Sequence, residues 1–126
     1  MNNRDQWEQH LRATAAKRSK YNAKRVQVDG YWFDSKAEAK RYSELKLMKQ
    51  AGLIRDLLLH PSYPIEINNI EICRVELDFV YYVPAGPDND DFGLKFEDVK
   101  GKDNPLSQLK RKLVEAFYGI KVEVIK

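Results

Sequence analysis

The stretch EICRVELDFVYYV, residues 71–83, limits the fold more than any other part of the chain. It is dense in β-branched and aromatic residues, which fit a pleated, half-buried surface, and it reads as a strand. PAGPDNDDFG follows, rich in loop-forming residues. LKFEDVK, residues 94–100, is then a second β-prone run, and Gly101 closes it. Two such runs joined by one loop can pair as neighbours in a sheet. Each also carries charge where apolar residues are the rule: Asp78 in the first, and Glu97, Asp98 and Lys100 in the second. Charged groups are rarely buried unless paired or bound to metal, because leaving water costs several kcal/mol or more.

The flanks supply the remaining elements. KRVQVDGYWFD, residues 24–34, reads as a hairpin turning at Asp29-Gly30. A helix is predicted from Ser35 to Ala51. Ser35 is its N-cap, Glu38 completes a capping box, and Gly52 stops it. Its apolar stripe is Ala37, Leu45, Leu47, Met48 and Ala51. LIRDLLLHPSYPIEI contains two prolines and reads as a strand broken by a bend. A second helix runs from about Pro105 to Tyr118, with Leu109, Leu113, Ala116 and Phe117 on one face and Gly119 at its end. IKVEVI alternates and gives a last strand. The core order is helix, three strands, helix, strand, an α/β domain over residues 25–126. Residues 1–24 precede it, with a short helix over 5–18 (Trp7, Leu11 and Ala15 on one side) and a basic arm.

Composition narrows the function. No apolar run approaches the roughly 20 residues of a membrane span. The N-terminus is polar and lacks a signal-peptide core, so the simplest expectation is a cytoplasmic protein with no membrane contact. The single cysteine, Cys73, excludes an internal disulfide and a multi-cysteine zinc site. His10 and His60 match no metal spacing, and no phosphate-binding glycine loop is present. Charge is uneven: residues 66–98 hold nine Asp/Glu against two Lys/Arg, and both ends of the chain are basic. An acidic centre between basic ends suits a carboxylate site framed by a polyanion-binding surface, although ordinary solvated charge gives the same count.

Strand alternation places Asp98 and Lys100 on one face, with Glu97 and Val99 on the other. A carboxylate and an amine two residues apart on one face suit phosphodiester hydrolysis: the carboxylate holds a divalent cation, and the ammonium orients water and stabilises charge. One carboxylate holds Mg²⁺ weakly, so more oxygen ligands are needed. Asp78 is the second candidate, with Glu76 as an auxiliary on its face. The backbone carbonyl of Val99 is a further one. Glu38 is a third carboxylate, unless the capping box is its whole role. The rival for Asp98 and Lys100 is an exposed edge-strand ion pair.

The order of elements and the residues Glu38, Asp78 and Asp98-Val99-Lys100 resemble the PD-(D/E)XK nuclease superfamily, with its restriction-endonuclease-like core. That superfamily includes type II restriction enzymes, archaeal Holliday-junction resolvases and RecB-type nuclease domains. VDGYWFDSKAEAKRYSELKLMKQAGLIRDL and FEDVKG…LKRKLVEAFYG are further similar to a small phage and prophage family within it, over about residues 19–125. Leu77 stands where the motif's name has Pro, and Glu97 could replace Asp98 if the strand bulged.

The resemblance implies a mixed sheet flanked by helices and a Mg²⁺-dependent DNA endonuclease, with Mn²⁺ as a substitute, in the host-cell cytoplasm if phage-encoded. Branched or junction DNA is one candidate substrate. Asp78 and Asp98 would hold the metal directly, Glu38 directly or through water, and Lys100 would position the attacking water. Lys102 and Lys112, together with arm residues Arg12, Lys17, Arg18, Lys20, Lys24 and Arg25, are candidate phosphate contacts; Lys110 and Arg111 are expected to point outward. Trp32, Tyr81 or Tyr82 could line a homodimer interface or sit in the core. The alternative functions are a non-catalytic nucleic-acid-binding module on the same fold and a phage interaction protein.

Overall fold

The computed structural model describes residues 25–88 and 90–126. The helix expected over residues 5–18 and the arm residues up to Lys24, Lys20 among them, lie outside the described residues. The chain divides into two compact units, residues 1–39 and 40–126.

In the first unit, β1 (Val26–Val28) and β2 (Tyr31–Phe33) form an antiparallel hairpin with Val28 opposite Tyr31. Asp29 and Gly30 both take positive φ, 54° and 81°, as a tight two-residue hairpin turn requires. Helix α1 (Lys36–Gln50) begins here and continues into the second unit. Ser35 caps it, accepting the Glu38 N–H at 3.1 Å. The return bond differs from a standard capping box, for Glu38 Oε2 accepts from the N–H of Asp34, at 3.3 Å.

The second unit contains β3 (Arg55–Leu59), β4 (Ser62–Ile67), β5 (Ile70–Glu76), β6 (Phe79–Val83), β7 (Gly93–Val99), α2 (Pro105–Tyr118) and β8 (Val122–Ile125). Four strands form a mixed sheet in the order β3-β6-β7-β8. The first two pairings are antiparallel and β7–β8 is parallel. A parallel neighbour needs a crossover, which α2 provides. Strands β4 and β5 form a separate two-stranded sheet. With that hairpin set aside, the order is the helix, three strands, helix and strand read from the sequence. Among the described residues no helix is long and apolar enough to cross a membrane.

The run 53–67 has the bend expected from its prolines, splitting into β3 and β4 at His60-Pro61, where His60 has φ 53°. A second break is unexpected. The run 71–83 splits into β5 and β6 at Leu77-Asp78. The breaks are joined by backbone bonds: Leu77 N–H to the Pro61 carbonyl and His60 N–H to the Asp78 carbonyl, both at 3.0 Å. The chain leaves one sheet and enters the other there, so Asp78 occupies a junction rather than a strand interior.

Val80, Phe96 and Val122 align across one face of the mixed sheet and pack with Ile65, Val75, Leu77 and Val114. Both helices bury only part of the apolar faces predicted. In α1 the expected Leu45 is buried in the second unit, joined by Tyr42, whereas Leu47 is exposed. In α2 only Val114 is buried, Leu113 is half-buried, and Leu109, Ala116 and Phe117 are exposed. The apolar stripe of α2 is real as a pattern, but the core takes its Val114 edge. Asn104 caps the helix by accepting the Ser107 N–H at 2.8 Å, and Gly119 ends it at φ 66°.

Candidate functional site

Strand β7 carries the central residues. Its register with β6 runs unbroken from Phe79 opposite Glu97 to Val83 opposite Gly93. With no bulge, alternation holds, and Glu97 and Asp98 face opposite sides of the sheet. Asp98 shares its face with Lys100, whose Nζ lies 3.4 Å from Asp98 Oδ2. This is no exposed surface pair, because Asp98 is only 5% exposed.

One step beyond Phe79–Glu97, the register sets Asp78 opposite Asp98. Asp78 N–H donates to the Glu97 carbonyl at 3.1 Å, and Asp78 Oδ2 accepts the Val99 N–H at 2.7 Å. A carboxylate oxygen therefore takes the backbone donor where the β6 ladder ends. Val99 enters the site through its N–H.

Glu97 has a different task. It is fully buried. Arg41 grips it in a fork, Nε to Oε1 at 2.7 Å and the second guanidinium nitrogen to Oε2 at 2.6 Å. The Tyr81 hydroxyl also donates to Oε2, at 2.5 Å. Hydrogen bonding to Glu97 above all holds the Arg41 guanidinium charged far into the alkaline range. Burial, followed by the bond to Glu97, raises the Tyr81 hydroxyl well above its ordinary value. Glu97 is thus committed to protein partners. Tyr81, one of the expected dimer-interface candidates, is a core residue at 5% exposure.

Sequence reasoning passed over His60. A donor atom of its ring lies within 4.8 Å of an Asp78 carboxylate oxygen, and its Nδ1 is 3.4 Å from Glu76 Oε1. An imidazole and a carboxylate at that spacing can hold a metal ion. The available signal was His60-Pro61 inside an otherwise β-prone run, because a forced bend can bring a side chain across from Asp78.

The basic residues are arranged differently from expectation. Arg111 is half-buried and forks onto Asp103 at 2.7 and 2.5 Å. That bonding raises its guanidinium, with Asp98 and Glu115 adding at longer range, and it lowers the Asp103 carboxyl. Arg111 therefore faces the acidic site, whereas Lys112 is exposed. Lys102 is exposed in the turn after β7. In the first unit, Arg25 is exposed, 3.7 Å from Asp34 and over the Trp32 ring at 5.5 Å. Glu38, in the same unit, is buried and bonded to Asp34 as described.

The fold and site define a small α/β domain with a mixed sheet, in which aspartates, an amine and an imidazole gather where strands part. The chain belongs to the family described as "Protein of unknown function (DUF1064)", whose model matches residues 18–126. No curated protein and no solved structure matches it.

Proposed function

We propose that the chain is a metal-dependent endonuclease of the PD-(D/E)XK type that hydrolyses DNA phosphodiester bonds. The observation that carries this reading is the buried Asp98 beside Lys100 Nζ at 3.4 Å, with Asp78 tied to the intervening residue, Val99, at 2.7 Å. A carboxylate taken out of water needs a cation; Lys100 supplies one, and a bound divalent ion would supply another.

His60 and Asp78 offer donor atoms within 4.8 Å of each other, a spacing that suits a divalent ion. Asp78 and Asp98 would be its carboxylate ligands, His60 would add a nitrogen, and the resemblance adds the Val99 carbonyl; Glu38, which it also assigns, belongs to the first unit. A bound divalent cation supplies Lewis-acid polarisation of the phosphate and a more acidic water. Lys100 orients the attacking water, accepts its proton when neutral, and in its charged form stabilises the negative charge that builds on phosphorus oxygens. Arg111 adds positive potential beside Asp98. Lys102, Lys112 and Arg25 hold the flanking phosphates by charge alone, without reading sequence. An imidazole in the set favours Mn²⁺ more than an all-oxygen site would, so Mn²⁺ is expected to support activity at least as well as Mg²⁺.

Cleavage of end-labelled duplex, flap, four-way junction and single-stranded DNA tests the proposal, each with Mg²⁺, Mn²⁺ or EDTA. Metal-dependent cutting by wild type that Asp98→Asn abolishes supports it. Binding of DNA without cutting, in any metal, points instead to a non-catalytic binding module.

A further inference from the structure

We infer that Glu97 is a positioning residue that fixes the two aspartates of the site, with Arg41 and Tyr81 as its holders. The inference rests on the proposed role of Asp78 and Asp98 as metal ligands.

Three observations converge on Glu97. Its side chain is fully buried on the sheet face opposite Asp98 and takes three donors, two from Arg41 and one from Tyr81. Its backbone carbonyl accepts the Asp78 N–H at 3.1 Å. Two residues further on, the Val99 N–H holds the Asp78 carboxylate at 2.7 Å. Asp78 is therefore fastened at two points by the residues on either side of Asp98. Any rotation of the backbone at Glu97 displaces both aspartates together.

The holders come from different elements. Arg41 is on α1, Tyr81 is on β6 and Glu97 is on β7, so one carboxylate sets a helix and two strands in a single arrangement. Buried ion pairs add little net stability over an apolar trio of the same volume. Apolar packing is non-directional, whereas a forked guanidinium bond fixes the angle of the strand that carries Asp98. Glu97 touches neither substrate nor metal. It acts through the backbone, on Asp98 through the peptide bond they share and on Asp78 through one hydrogen bond, much as outer partners orient metal ligands.

The test uses the full chain with Tyr81→Phe, which removes a single hydroxyl, and Glu97→Gln, which keeps the side chain's shape. Thermal melts check the fold. Amide hydrogen exchange at Val99 reports the Asp78 clasp without any metal, and calorimetric titration of Mn²⁺ reports the ligands. Both variants are expected to remain folded. Val99 should exchange about tenfold faster while the β6–β7 ladder amides stay protected, and Mn²⁺ should bind about tenfold more weakly, the scale typical of outer-partner loss. Arg41→Lys, which keeps the charge and loses the fork, should fall between wild type and Glu97→Gln.

If wild type binds Mn²⁺ and folded Tyr81→Phe matches it in both Val99 exchange and affinity, the inference is overturned and the metal site stands. If wild type binds no Mn²⁺, the metal site falls and the inference with it, whatever Val99 does.

Discussion

Replacing Arg41 with Met isolates the contribution of the buried fork. The substitution keeps most of the aliphatic stem and removes the charge. Glu97 is then left fully buried with the Tyr81 hydroxyl as its remaining side-chain donor. Breaking a buried pair by deleting one partner typically costs about 3–5 kcal/mol. Arg41 is itself 20% exposed and also bonds the exposed Glu44 at 2.9 Å, so water screens part of the interaction. The expected loss is therefore about 3 kcal/mol, the low end of that range. For a domain of this length that lowers the melting midpoint by about 10 °C.

Urea unfolding of wild type, Arg41→Met, Glu97→Gln and the double variant measures the coupling. The double variant should be more stable than the sum of the two single losses predicts, by about 2 kcal/mol, because neither change then strands a charge. A loss below about 1 kcal/mol for Arg41→Met would mean that the pair behaves as a surface ion pair. Strictly additive losses would mean that the two residues do not act on each other.

Three further outcomes are expected. Tyr81 favours its neutral phenol in the folded state, so its stabilisation is complete below the unfolded value of about 10 and is lost as pH rises through the higher folded value. Urea midpoints from pH 8 to 11.5 should fall more steeply for wild type than for Tyr81→Phe, and parallel curves would contradict this. His60→Ala should weaken Mn²⁺ binding by at least about tenfold, the scale of losing even an outer partner, and affect Mg²⁺ less; equal binding by calorimetry would remove His60 from the donor set. Lys102→Glu and Lys112→Glu should each weaken duplex binding and flatten the log affinity against log salt plot by about one contact, measured by fluorescence anisotropy between 50 and 200 mM salt; an unchanged slope excludes that lysine from the phosphate contacts.

Much of the frame was legible because local chemistry decides it. Asp29-Gly30 dictates its turn, Ser35 and Gly52 bracket α1, and Pro105 and Gly119 bracket α2. Alternation along LKFEDVK correctly paired Asp98 with Lys100, since β7 has no bulge opposite β6. The features that escaped depend on contacts distant in sequence. Nothing near Asp78 announces that the run 71–83 changes sheets there, because the break is set by backbone bonds to His60 and Pro61. The same bonds bring His60 to the site, which sequence spacing could not show. Arg41 and Glu97 are 56 residues apart, so their fork was invisible, and Glu97 read as a rival ligand for want of it. The apolar pattern of α2 located the helix but misplaced its buried edge: Arg111 turns inward because Asp103, eight residues earlier, receives it.

The central claim is that Asp78 and Asp98 hold one divalent cation between them, and calorimetric titration of Mn²⁺ into metal-free protein tests it most directly. Wild type should give saturable one-to-one binding, and Asp78→Asn and Asp98→Asn, each checked as folded by its melting curve, should each lose it. No binding by wild type, or equal binding by both folded variants, would contradict the claim.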